Sequence, residues 1–267
     1  MAGQKDSEVW SSAEGYERYV GRWSRLVAAE FIDWLEAGDG GRWLDVGCGT
    51  GTLAATVLAR SAPRSVAGID RSEAYAAAAR QLLTETRVDI RVADAQELPY
   101  AGGSFDAVVS GLVLNFVPDK ERMAAEMARV SRPGGIVGLY VWDYAGEMQM
   151  MRRFWDAAEA LDPEAVHYDE GARFTICHPE RLAALFSATR IRDVQVRAID
   201  VTTRFRDFDD YWTPFLMADA PAPGYCMSLA EDRRVALRER LRSTLPIAPD
   251  GSIELIARAW AVKGAAP

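Results

Sequence analysis

Cysteine and histidine are scarce in this chain of 267 residues, which has three of the first and two of the second. Cys48, Cys177 and Cys226 lie far apart, without the CxxC or Cys/His clustering of a zinc centre, so no metal site and no disulfide framework are expected. A reducing cytoplasm is the compartment this implies. Basic charge is also short. The formal net charge is -8, the wrong sign for an enzyme that must neutralise phosphates, so nucleic acid is not an expected partner. The opening MAGQKDSEVW has no apolar core of the kind that marks a secretory signal. The most apolar stretch, Ala107 to Val117, is broken by Ser110, Gly111 and Asn115 and is too short to span a bilayer, so no membrane partner is expected. There is no repeat at solenoid spacing either.

What is present is ordinary globular material, 49% hydrophobic and 26% charged. Apolar residues near helical spacing (Tyr16, Tyr19, Trp23, Leu26, Val27) predict one or two helices within Ser12 to Glu36, ended by the glycine cluster at 38–41. An alternation follows. Strands are predicted over 42–46, 65–70, 90–93, 105–110 and 136–142, and helices over 53–60, 72–83 (capped by Ser72) and 119–130. Arg132-Pro133-Gly134-Gly135 reads as a turn. Strands alternating with helices imply a parallel sheet covered on both faces. Later, helices are expected near 148–161, 179–187, 207–217 and 229–245, a loop at Pro221-Ala222-Pro223-Gly224, and strands over 190–203 and 252–262. The expected organisation is an N-terminal helical segment over 1–38, then one α/β domain over 39–267 with cap insertions near 145–188 and 205–248.

The sharpest motif is Leu44-Asp45-Val46-Gly47-Cys48-Gly49-Thr50-Gly51, between a predicted strand and a predicted helix. Glycines here let the chain turn tightly and let a ligand approach the backbone. Asp70 closes the second strand, where a carboxylate can accept from both hydroxyls of a ribose. The two together indicate an adenosine-type cofactor. A triphosphate loop is excluded, because no lysine follows the glycines. The dinucleotide spacing GxGxxG would need a third glycine where Thr52 stands. Asp45 beside the loop would repel a pyrophosphate and suits a cationic ligand, so an NAD oxidoreductase is a distant alternative. Asp45 also suits a plain backbone cap, and both roles stay open. Cys48 reads as a small residue filling the loop.

In LDVGCGTG (44–51), GIDRS (68–72), ADAQELPY (93–100), and SFDAVVSGLVLNFVPD (104–119) followed by RPGG (132–135), the chain resembles the class I S-adenosylmethionine (SAM)-dependent methyltransferases. The likeness is to the branch holding the ubiquinone and menaquinone methyltransferases, and it covers about residues 40–142. It implies a doubly wound seven-stranded α/β sheet and SAM as cofactor. Gly47, Cys48 and Gly49 would pass beneath the methionine and ribose, and Asp70 would hold the ribose. Asp94 and the Ala95 amide would read the adenine, Arg71 would lie against it, and Ser110 would face the methionine part. Many relatives carry histidine in a VLHHVPD segment; this chain has Leu114-Asn115-Phe116 there, so that base is missing.

A sulfonium is already an excellent leaving group, so the protein must mainly hold the acceptor in line, exclude water and remove a proton where one is lost. Tyr16, Tyr19 and Trp142 are candidate acceptor contacts, the alternative being that such aromatics pack extra helices onto the sheet. Arg22 suits either the SAM carboxylate or solvent. His167, Asp143 and Tyr144 are the candidate bases, His178 reading instead as a helix-start residue. The expected activity is methyl transfer to an oxygen, nitrogen or carbon of a small apolar or aromatic molecule. A SAM-binding protein that does not methylate is the alternative, and the oligomeric state is left open.

Overall fold

The computed structural model describes residues 20–217 and 220–267. Tyr16 and Tyr19 fall outside them. The first described helix, α1 (Arg22–Leu35), carries Val27, Phe31 and Leu35 at four-residue steps, and all three are buried. Leu26 stands a third of a turn away and is 47% exposed, so it does not belong to the apolar face predicted for it.

A seven-stranded sheet follows: β1 (Arg42–Val46), β2 (Ser65–Asp70), β3 (Val88–Val92), β4 (Phe105–Gly111), β5 (Ser131–Trp142), β6 (Arg192–Phe205) and β7 (Ile253–Ala265). Their spatial order is β3-β2-β1-β4-β5-β7-β6. The first five pair in parallel, and β7 runs antiparallel to β5. Parallel strands need crossover helices, which the chain supplies as α2 (Thr52–Arg60), α3 (Glu73–Leu82) and α4 (Lys120–Val130). Ser72 accepts from the Tyr75 amide at the start of α3, and Asp119 accepts from the Arg122 amide at the start of α4. Met123, Met127 and Val130 of α4 are fully buried. Each contributes roughly 1.5–3 kcal/mol of burial. A Cβ on Gly138 of β5 would meet Leu35 at 2.8 Å and Phe31 at 3.2 Å, so a bare glycine lets α1 lie close to the sheet.

The RPGG segment departs from expectation. It is not a free turn but the irregular start of β5, with a register shift against Phe105 and Ala107. Asp106 anchors it, accepting from the Arg42 amide at 2.8 Å and from the Arg132 guanidinium at 2.7 Å. These donors hold the Asp106 carboxyl down at about 2, the Arg42 amide contributing most.

Beyond β5 the chain forms α5 (Gln149–Leu161), a short 3-10 turn (Pro163–His167), α6 (Glu170–Arg173), α7 (Pro179–Ala188), α8 (Phe208–Trp212), α9 (Pro214–Met217), α10 (Pro221–Ser228) and α11 (Glu231–Thr244). The single helix expected over 207–217 is thus two short ones. The loop expected at 221–224 is also a correction, because those residues begin α10. Both prolines sit in its first turn, where amides have no helical partner to lose.

Two compact units emerge. Among the described residues, the sheet unit comprises 24–142, 176–199 and 259–267, and the helical unit comprises 20–23, 143–175, 200–217 and 220–258. From Ser24 onward α1 belongs to the sheet unit. In the helical unit, Phe154 stacks on Phe215 at 4.5 Å and the Tyr211 hydroxyl donates to the Met150 carbonyl. Among the described residues, no helix is long and apolar enough to cross a membrane.

Candidate cofactor site

From β1 the chain winds outward to β2 and β3, then crosses back to β4. The reversal between β1 and β4 is where open α/β sheets place a ligand, outside the carboxyl ends of the strands. The residues singled out at 45–51, 70–71, 94–95 and 110 all lie at or beside those ends within the sheet unit.

The loop after β1 is shaped by what packs on it. Gly47 has φ +75°, and a Cβ there would strike the Val113 side chain at 2.5 Å. The segment after β4 therefore rests directly on the glycine loop. Over Gly49, by contrast, a Cβ would meet nothing within 4 Å among the described residues, so none of them blocks approach to the backbone. Cys48 is buried, its sulfur 3.2 Å from where a Cβ on Gly68 would sit. Burial, then the nearby Asp45 and Asp70 charges, push its thiol far above the usual range, so it is an inert packing residue here.

Asp70 is held from two sides, by the Gly49 amide at 3.0 Å and the Ser72 amide at 2.8 Å. Two amides fix the carboxylate and leave further lone pairs for hydroxyl donors. Asp94 is exposed and accepts from the Gln96 amide at 2.8 Å and from the Gln96 side chain. Its pKa is lowered chiefly by the Gln96 backbone and side chain, with a smaller contribution from Arg71. Arg71 and Asp94 are thus electrostatic neighbours, and the Ala95 amide lies between Asp94 and Gln96.

Asp45 differs from both. It is 1% exposed, and neither carboxylate oxygen has a hydrogen-bond partner among the described residues. Burial raises its pKa to about 7, only partly opposed by the Ala54 amide, and Asp70 adds to the rise. The Ala54 amide, in the first turn of α2, is the donor a cap would use, and the rest of the carboxylate's acceptor capacity suits a cation.

Ser110 is buried and donates to the Val46 carbonyl at 2.7 Å, tying β4 to β1. That bond occupies the hydroxyl proton expected to face a ligand. After β4, Leu112 adopts φ +62°, a conformation costing a non-glycine residue about 1–3 kcal/mol. Three residues on, Asn115 is 5% exposed, and neither its amide nitrogen nor its oxygen has a partner among the described residues. Each such atom costs roughly 1–3 kcal/mol. In sequence Asn115 shows itself as the residue standing where many relatives carry histidine and as a break in an apolar stretch. The available signal was a polar residue inside the apolar run Leu112 to Val117.

The remaining candidates each have partners of their own within their unit. Trp142 is buried in β5, facing Ala259 of β7 across the ladder. Asp143, in the helical unit, accepts from the Glu147 amide at 2.9 Å and so caps its own turn. Tyr144 is buried, with its ring 5.4 Å from Phe174. The His167 side chain is 71% exposed, with Glu164 at 3.4 Å as its partner one turn earlier. The residue ends the 3-10 turn Pro163–His167. Arg22 faces Asp210 at 3.3 Å and lies over the rings of Trp23 and Phe205. Its Nε and Nη2 are buried without partners among the described residues.

Residues 44–139 match the family described as a methyltransferase domain. The demethylmenaquinone methyltransferase of Halalkalibacterium halodurans is 32% identical over 177 residues, covering 58% of this chain and 69% of that protein. The ubiquinone/menaquinone biosynthesis C-methyltransferase of Desulfotalea psychrophila is 39% identical over 117 residues, covering 43% of this chain and 45% of that one. The chain spans about half the length of the curated relatives it matches. The structure of Haemonchus contortus phosphoethanolamine N-methyltransferase 2 with SAM shares the fold, with a TM-score of 0.60 at 17% identity over 95% of this chain and 56% of that one.

Proposed function

The chain belongs to the class I SAM-dependent methyltransferases, and from that premise we propose that it methylates an oxygen, nitrogen or carbon of a small apolar or aromatic molecule. The observation that supports this most is the buried, unpartnered carboxylate of Asp45 beside the glycine loop. A cationic ligand fits such a group and a pyrophosphate does not. SAM fits the rest of the site too, since Asp70 is presented by two amides with acceptor capacity to spare.

When bound, SAM supplies an electrophilic methyl group on a sulfonium. The chain would contribute binding and orientation. Asp45 would take the ammonium, Asp70 the ribose hydroxyls, and Asp94 with the Ala95 amide the adenine edge, Arg71 lying alongside. The segment 112–119 that follows β4 has no histidine, so an acceptor that ionises readily or reacts through carbon suits this chain best. The net charge of -8 supports a small molecule over nucleic acid as partner, and the three scattered cysteines agree with a reducing cytoplasm.

Incubation with tritiated SAM and a fractionated metabolite extract tests the reading. Label should pass to a small organic acceptor. Tight SAM binding with no transfer to any fraction would instead identify a SAM-binding protein that does not methylate.

A further inference from the structure

Asn115 follows β4 in the 3-10 turn Leu114–Phe116, one of the two strand ends that flank the ligand crevice. The segment that carries it is set by the strained Leu112 and seated on the glycine loop through Val113 and Gly47. Its side chain is enclosed, yet its donor and acceptor are both unmet among the described residues. Buried amides that serve the fold are satisfied by it, and one of identical shape but apolar would be the better core residue. A donor and an acceptor held side by side in one plane match a ligand with the reverse pair on adjacent atoms.

Resting on the methyltransferase reading, we infer that Asn115 is the residue that selects the methyl acceptor, by binding two adjacent oxygens of it, one accepting from Nδ2 and one donating to Oδ1. The acceptor class is then a catechol, a vicinal diol or a hydroxy-carbonyl compound. A molecule with a single oxygen leaves half of the amide unmet, which is how a buried polar site rejects an analogue. Being uncharged, Asn115 binds without taking a proton, so it is a binding residue and not a base.

The test uses the full chain saturated with S-adenosylhomocysteine, with catechol and phenol as probes, read by saturation-transfer NMR and by thermal shift. Catechol should bind at least about tenfold more tightly than phenol, as expected for a satisfied against a half-satisfied site. Asn115→Leu should erase that preference while keeping S-adenosylhomocysteine affinity within about twofold. In the unliganded chain the same variant should melt no lower than wild type, and by roughly 2–4 °C higher if the amide is unsatisfied. Asn115→Asp, of the same shape with no donor, should also lose the preference. Equal binding of catechol and phenol to wild type overturns the inference. So does a fall in the melting temperature of Asn115→Leu, which would reveal a structural partner, or a tenfold loss of S-adenosylhomocysteine affinity, which would move Asn115 to the cofactor. Failure of wild type to bind S-adenosylhomocysteine is a separate result, striking the methyltransferase reading itself.

Discussion

Two carboxylates in this chain are equally buried and equally perturbed, yet they belong to different kinds of structure. Asp45 in the sheet unit and Glu170 in the helical unit are both raised to about 7, in each case mainly by burial. Glu170 accepts from the Trp155 indole, from its own amide and from the Ala222 amide. Beside it, Asp169 holds the Arg152 guanidinium at 2.7 Å and the Gly171 amide at 2.8 Å. Glu170 and Asp169 have therefore completed their hydrogen bonding within the helical unit. Asp45 has not. A perturbed pKa alone does not separate a structural acid from a binding one; the count of unmet lone pairs does.

The first way to break this contrast is at Glu170, where the largest effect is expected. Glu170→Ala strands the indole and amide donors and opens a cavity, so it should destabilise the fold by roughly 2–4 kcal/mol in urea unfolding. Glu170→Gln, which keeps an acceptor, should cost less. SAM affinity should stay within about twofold in either variant that folds, and a selective loss would mean Glu170 serves the ligand after all. On the sheet side, Asp70→Ala should weaken SAM binding by roughly 2–3 kcal/mol in calorimetry, with little change in melting temperature. Unchanged affinity would show that the ribose lies elsewhere.

Asp45 should separate stability from binding most sharply. Its folded pKa is raised above the unfolded value, so the folded chain binds the extra proton. Its contribution to stability is fully present below about pH 4 and is lost as pH rises to about 7. Asn at this site removes the buried charge. Asp45→Asn should therefore melt a few degrees above wild type at pH 8, by roughly 1 kcal/mol or more, while binding SAM more weakly. A lower melting temperature would assign Asp45 to the fold. The smallest effect is expected at Asp106, whose depressed pKa reflects structural bonds at the partly exposed end of β4. Its contribution is present above about pH 4 and disappears as pH falls through about 2. After discounting for solvent screening, Asp106→Asn should cost about 1 kcal/mol at pH 7, read from urea midpoints, and much less at pH 2.

The same contrast governs what could be read without coordinates. The strands from Arg42 to Trp142 and the helices between them announce themselves, because parallel strands are continuous apolar runs and Ser72 and Asp119 mark helix starts. Asp45, Asp70 and Asp94 stand out as candidates because each lies at or just beyond the carboxyl end of a strand. The helical unit was harder. Pro221 and Pro223 read as loop punctuation, although in a first turn they cost no hydrogen bond, and the Thr213–Pro214 junction split a helix that periodicity left whole. Asn115 escaped for another reason. Whether a buried amide is met or unmet depends on neighbours distant in sequence, and spacing carries no record of them.

Calorimetric titration of the wild-type chain with SAM at pH 6 and pH 8, in buffers of different ionisation heat, tests the central claim most directly. If Asp45 is the unmet carboxylate that a cationic cofactor completes, affinity should rise roughly tenfold from pH 6 to pH 8, with about one proton released per SAM bound at pH 6. Equal affinity at both values with no proton release, or binding of NAD and not SAM, would contradict it.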